Sequence, residues 1–148
     1  MSNSAGSDVK IETAKEYYRR IDAGRPDTVD LFTDDVEIYF PKFGVGKGKQ
    51  AFFDLGAGFA EMVASIEHKM NELKYLTSGA TVVVEGTTRG VTRAGSSWDG
   101  GKTPGGRFCS VFEFEDALIR RMYIYLDPDY GGANNAGFVW GERSEQRW

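Results

Sequence analysis

RFCSVFEFEDALIRRMYIYLD, residues 107–127, reads as two β-strands folded back on each other. Apolar and polar residues alternate through Arg107–Glu115 and again through Leu118–Asp127, the period of two expected of strands with two different faces. Asp116-Ala117 between them is short enough for a tight hairpin. In the first strand Phe108, Ser110 and Phe112 share a face. In the second, Arg121, Tyr123, Tyr125 and Asp127 share one. Cys109 alternates away from Ser110 and reads as a small core residue.

Upstream of this hairpin, Ser65–Tyr75 and Thr81–Thr92 read as two more strands joined at Ser78-Gly79. The connection from Arg93 to Gly106 is rich in glycine and predicts a mobile surface excursion. Downstream, Pro128 opens a glycine- and asparagine-rich tail that turns charged. Residues 131–148 are expected to be flexible, with Phe138, Val139 and Trp140 able to dock on the body or on a partner chain.

The first half is helical. Ile11, Ala14, Tyr18 and Ile21 form one stripe of a helix over Asp8–Ala23, stopped by Gly24 and Pro26. Pro26 suits the first turn of a short second helix. Val36–Phe40 reads as a strand ended by Pro41. A glycine-rich loop over 43–48 leads to a third helix, Lys49–Ala64, with Phe52, Leu55, Phe59 and Met62 in line. Helices first and an antiparallel meander after them predict one α+β domain over residues 8–130. A strongly curved sheet with helices on its concave side forms a cone whose mouth is a natural pocket.

Composition narrows the function classes. The 148 residues fit one domain and carry a formal charge of -4 with scattered Lys and Arg, which disfavours a nucleic-acid surface. Cys109 is the only cysteine, so no internal disulfide forms, and a reducing cytoplasm is the expected compartment. No apolar run approaches the roughly 20 residues that span a bilayer. Residues 1–7 are small and polar, unlike a signal peptide. Aromatics make up 14% of the chain, which suits a dense core or a pocket for a flat hydrophobic ligand.

Two stretches resemble the nuclear transport factor 2-like superfamily, and within it the SnoaL-like proteins. One is YYRRIDAGRPDTVDLFTDDVEIYFP at 17–41, a helix, an Ala-Gly turn, a short helix, Asp-Asp and a strand. The other is the 107–127 hairpin, ending in aromatic-x-Asp. The resemblance implies a cone-shaped barrel and a pocket lined by Tyr17, Ile38, Phe40, Phe108, Ser110 and Phe112. By the same comparison Val83, Glu85 and Thr87 line it from the Thr81–Thr92 strand, and the Tyr123/Tyr125/Asp127 face from the last. A homodimer through the outer sheet face is implied too, covering Val111, Met122, Ile124 and Leu126.

Asp127 leads the catalytic candidates, because SnoaL-like cyclases use an aspartate near this place as acid–base catalyst. Walled by Tyr123, Tyr125, Phe40 and Phe112, its carboxyl would have a raised pKa. The alternative is that Asp127 caps the turn before Pro128. Tyr17 resembles the tyrosine that donates to an oxyanion in ketosteroid isomerase, or it simply packs beside Tyr18. Glu85 is either a second acid–base group or a structural ion-pair partner of Arg89, Arg107 or Arg121. His68, the only histidine, is a titratable candidate or a structural strand residue. Ser110 and Thr87 would position polar atoms, and Trp98 would supply apolar surface. One histidine and no Cys/His cluster predict no metal site. GVGKGK at 44–49 lacks phosphate-loop spacing, and the Gly95–Gly106 loop lacks a dinucleotide fingerprint.

The resemblance has gaps. Phe40 stands where ketosteroid isomerase has its base, Glu85 and Thr87 stand where epoxide hydrolases have Arg and Asp, and scytalone dehydratase needs two histidines. The expected function is cofactor-independent acid–base chemistry (cyclisation, isomerisation, dehydration or hydration) on a small hydrophobic carbonyl compound. The alternative is a non-catalytic binding or dimerisation module.

Overall fold

A computed structural model describes residues 3–138, 140 and 148. Helix α1 (Asn3–Asp22) turns Ala14, Tyr17, Tyr18 and Ile21 toward the core. Its outer side is laced by Lys15–Glu12 and Arg20–Glu16 pairs at helical spacing. It stops because Gly24 takes a positive φ of 66°, letting the Gly24 and Arg25 N–H groups close on Ile21 and Arg20. A 3-10 turn over Pro26–Leu31 follows and leads into β1 (Phe32–Phe40).

The remaining elements are β2 (Gly44–Lys47), α2 (Lys49–Met62), β3 (Val63–His68), a 3-10 turn (Met70–Glu72), β4 (Lys74–Ser78), β5 (Thr81–Thr92), β6 (Ser97–Asp99), β7 (Arg107–Glu115) and β8 (Leu118–Leu126). The fold is α+β, as expected. The sheet runs β2-β1-β8-β7-β5-β3, mixed because β1 and β8 are parallel. The twelve-residue β5 changes partners along its length. Its first half lies between β4 and β7, and its second half between β3 and β6. That handover curls the sheet around α1 and α2. Gly90 sits at the tightest point, where a Cβ would lie 2.1 Å from the Ser65 carbonyl oxygen and 2.5 Å from the Trp98 ring.

The structure alters several expected boundaries. The strand expected over Ser65–Tyr75 is two strands broken by a 3-10 turn, the glycine-rich 43–48 loop contains β2, and the 93–106 connection contains β6. Two strand faces are also reversed. On β8, Met122, Ile124 and Leu126 turn inward, while Tyr123, Tyr125 and Asp127 turn outward. The cause is a one-residue bulge. Leu118 pairs with Glu115 and Ile119 with Phe114, but Arg121 then pairs with Glu113, leaving Arg120 extra. Without that residue Tyr123 would oppose Ser110, and Tyr125 would oppose Phe108. One step of register sends every later side chain to the other face. On β5, Val82 and Val84 are buried and Glu85 is exposed. The Val82-Val83-Val84 run is apolar in either register, and pairing of Val84 with Ser110 decides it.

The convex face is therefore less aliphatic than expected. Met122, Ile124 and Leu126 do not lie on it. Tyr39 sits there with Tyr123 and Tyr125 at ring separations of 5.5 and 5.6 Å, and the Arg121 guanidinium lies 3.6 Å over Tyr123. Phe138 and Trp140 in the tail are largely exposed, and Val139 lies outside the described residues. No helix among the described residues is long and apolar enough to cross a membrane.

Candidate active site

The cone is hollow. A cavity of about 140 Å³ lies between the concave sheet and the two helices. Helix α1 contributes Tyr17, Tyr18 and Ile21, and α2 contributes Phe52, Leu55 and Phe59. The sheet adds Phe40, Ile66, His68, Thr88, Phe108, Ser110, Ile124 and Leu126. Tyr130, beyond the last strand, folds back to complete the wall. Its ring lies 4.4 Å from Trp98 and 6.0 Å from Phe59. The lining is overwhelmingly apolar, so its few polar groups stand out.

His68 borders this cavity, and Asp22, outside the lining, holds it. Asp22 ends α1 and His68 ends β3, so helix and sheet deliver them to one point. Asp22 Oδ2 accepts the His68 backbone N–H at 2.9 Å, and Oδ1 lies 2.7 Å from ring Nδ1. The imidazole packs with Tyr18 at 4.6 Å and Phe108 at 5.2 Å between ring centroids. A carboxylate accepts only, so this contact places a proton on Nδ1. Nε2 is then the basic nitrogen, on a ring that borders the cavity. A carboxylate that orients an imidazole and steadies its charged form is a recurring acid–base device.

Three phenols line the same space. Burial pushes the Tyr17 and Tyr18 pKa values well above the ordinary tyrosine range. The Asp22 charge adds to the effect at Tyr17. Tyr130 is pushed up the same way, with a smaller contribution from Asp127. The Tyr18 hydroxyl is fully enclosed without a hydrogen-bond partner. The Ser110 hydroxyl is near enough to lower the Tyr18 pKa in part, but not in hydrogen-bonding geometry. Thr88 accepts the Trp98 indole N–H at 3.0 Å.

The expected site residues divide between the two faces of the sheet. Tyr17, Phe40, Phe108, Ser110 and His68 border the cavity. Phe112 is fully buried against Tyr17 and Tyr18, packed beneath them. Trp98 is buried one layer out, supporting Thr88 and Tyr130. Thr87 points away from the cavity, its hydroxyl buried without a partner beside Gly100. Tyr123 and Tyr125 lie on the convex face.

Asp127 is exposed and is not walled by Phe40 and Phe112. It lies in a shallow outer cleft with Lys42, Pro104 and Asp129. There its Oδ1 accepts the Asp129 N–H at 2.9 Å, the turn-capping arrangement. Glu85 is exposed opposite Cys109 and Lys74. Neither carboxylate reaches the cavity, because the β5 and β8 faces are opposite to those expected.

Sequence reasoning missed Asp22 and, in the lining, Tyr18, Thr88, Tyr130 and the apolar wall from α2, Ile66, Ile124 and Leu126. Asp22 carried a usable signal, four residues after Tyr18 and therefore on the same helix face. Tyr130 carried none, because a glycine-rich tail reads as loose. Among the described residues, no group of three or more His, Cys, Asp or Glu is placed to hold a metal ion.

Comparison with known proteins places this architecture. No curated protein sequence matches the chain. Solved structures superpose well at low identity, which speaks for the fold. An NTF2-like protein of unknown function from Burkholderia pseudomallei has 19% identity and a TM-score of 0.70, covering 80% of this chain and 91% of its own. TerC, co-crystallised with polyporic acid, has 17% identity and a TM-score of 0.69, covering 80% and 92%. A candidate polyketide cyclase from Pseudomonas putida has 16% identity and a TM-score of 0.69, covering 82% and 93%. The pattern of the SnoaL-like domain matches residues 14–122 of the 148, from the middle of α1 to the inward-facing Met122. The chain therefore belongs to the SnoaL-like domain family.

Proposed function

We propose that this chain is an acid–base enzyme acting on a small hydrophobic carbonyl compound held in the cone. The observation that carries the reading is the Asp22–His68 pair at the wall of an otherwise apolar cavity. His68 Nε2 takes a proton from the carbon beside a carbonyl. The C–H electron pair forms a carbon–carbon double bond while the carbonyl π pair moves to oxygen. The imidazolium, held by Asp22, returns the proton to the same carbon, to another carbon or to a departing hydroxyl. Isomerisation, cyclisation and dehydration share this first step. It balances with the imidazole alone, so the reading calls on neither a metal nor an organic cofactor. The proton-moving role expected of Asp127 passes to His68 because Asp127 is on the outer skin. Likeness to a candidate polyketide cyclase and to TerC with polyporic acid is consistent with a carbonyl-rich ligand.

The test needs no prior substrate. Incubation of carbonyl compounds with the protein in D2O, read by mass spectrometry, should show deuterium entering beside the carbonyl for at least one compound. His68→Gln should abolish it. A second reading, a binding module, would give thermal stabilisation by the same compounds with no exchange in any of them. Pairing through the convex face, with Tyr39, Tyr123 and Tyr125 at its centre, remains part of the proposal. Sedimentation showing only monomer at micromolar concentration would remove that part.

A further inference from the structure

The cavity of about 140 Å³ is small for a carbonyl compound of any length. An apolar cavity of about 150 Å³ takes a molecule the size of benzene. A compact ring therefore fits inside the cone, and a longer substituent has to leave it. The α2 wall shows where. Phe52, Leu55, Gly56 and Phe59 all border the cavity. Gly56 follows Phe52 by four residues and precedes Phe59 by three, so it lies on the same helix face. The others fill that face with side chains, whereas a Cβ built on Gly56 would meet nothing within 4 Å. Among the described residues that line the cavity, Gly56 alone is exposed. A glycine inside a helix costs stability relative to other residues. Packing accounts for Gly58, where a Cβ would lie 2.6 Å from the Phe43 ring, but not for Gly56. Phe53, beside Gly56 on the helix surface, is 44% exposed and sets an apolar ring at the edge of the gap.

We infer that Gly56 is the mouth of the cavity and the residue that determines the shape of its substrate. The substrate class is a compact cyclic carbonyl head, held inside the cone, with an alkyl or similarly apolar tail that passes out beside Gly56 and along Phe53. A side chain at position 56 would stand in the path of that tail. The head would still be enclosed by the rings and aliphatic groups of the sheet and α1. The inference rests on the reading of the cone as the ligand site. It does not depend on His68 being a base.

Gly56→Leu tests it, because the new side chain starts where the structure has open space. The probes are 1-indanone and 5-hexyl-1-indanone, which share the ketone head and differ in the tail. Wild-type protein should bind both saturably. Gly56→Leu should weaken the hexyl compound about ten- to hundredfold. It should change 1-indanone affinity by no more than about threefold, while slowing both association and dissociation about tenfold. Ala57→Leu, which adds bulk one residue on and outside the lining, should change neither probe. Leucine is a better helix former than glycine, so the unliganded Gly56→Leu protein should melt no lower than wild type. Equal weakening of both probes, unchanged binding of the hexyl compound, unchanged rates for 1-indanone, or a lowered melting temperature would each overturn the mouth. No saturable binding of 1-indanone by wild type would overturn both the mouth and the cone as ligand site. The acid–base reading fails separately: tail selectivity as predicted, with no deuterium exchange in any carbonyl compound, would remove the chemistry while the mouth stands.

Discussion

Asp22 holds His68 twice, accepting its backbone N–H at 2.9 Å and facing its ring Nδ1 at 2.7 Å across 46 residues of sequence. The first contact fixes where the residue sits and the second fixes how the ring is protonated. One carboxylate therefore ties the end of α1 to the end of β3 and also leaves Nε2 as the basic nitrogen of a ring that borders the cavity. His68→Gln should reduce carbonyl-dependent deuterium exchange by about a hundred- to ten-thousandfold. Asp22→Asn should lose a comparable share, with circular dichroism unchanged and stability down by about 1–3 kcal/mol. Exchange in Asp22→Asn at the wild-type rate would separate the pair from the chemistry.

Tyr130 closes the cone from a segment outside the strands. Its ring stacks on Trp98, and Gly105 lets the backbone approach, since a Cβ there would meet the Tyr130 carbonyl oxygen at 2.8 Å. Tyr130→Ala should lower stability by about 3 kcal/mol, as for other buried aromatics, and speed release of a bound apolar ligand. Denaturant melts and stopped-flow displacement read the two effects independently.

The reversed face of β8 has a thermodynamic signature. Met122 is fully buried, whereas Tyr125 is 47% exposed. Met122→Ala should cost about 2–4 kcal/mol, and Tyr125→Ala about 1 kcal/mol or less. Equal costs, measured by urea unfolding, would contradict the register that the bulge imposes.

Much of this architecture was legible in the sequence. Alternation through β7 put Phe108, Ser110 and Phe112 on one face, which the family resemblance turned inward, and the apolar stripe of α1 located Tyr18 and Ile21. The face of β8 was not legible, because a bulge at Arg120 leaves no mark in an alternating pattern. The aliphatic set Met122, Ile124 and Leu126 was the better indicator of the inside, since tyrosine tolerates a wet surface. On β5 the three valines fitted either face. His68 was visible as the only histidine, but its partner became evident only when α1 and β3 met in space. The outward turn of Asp127 follows from the same bulge.

Gly90 lies where β3, β5 and Trp98 crowd together. Gly90→Ala forces a methyl into the Ser65 carbonyl, which cannot yield without moving β3. The variant should lose about 2 kcal/mol or more in thermal or denaturant unfolding. Wild-type stability would mean that the strands are farther apart than the structure has them.

Alkali should expose the buried phenols late. Tyr17, Tyr18 and Tyr130 all have folded-state pKa values raised by burial. Their contribution to stability is complete below the unfolded tyrosine pKa of about 10 and declines as pH rises beyond it. Ultraviolet titration should show these three ionising only as the protein unfolds.

The chain has a single histidine, so its imidazole nitrogens can be observed without overlap. Nitrogen-15 spectra near neutral pH, recorded with and without saturating 1-indanone, test the dyad most directly. In the ring that carries a single proton, hydrogen on Nδ1, a bare Nε2, and an Nε2 resonance displaced by the ligand are the predicted result. Hydrogen on Nε2, or a resonance indifferent to the bound ketone, would contradict it.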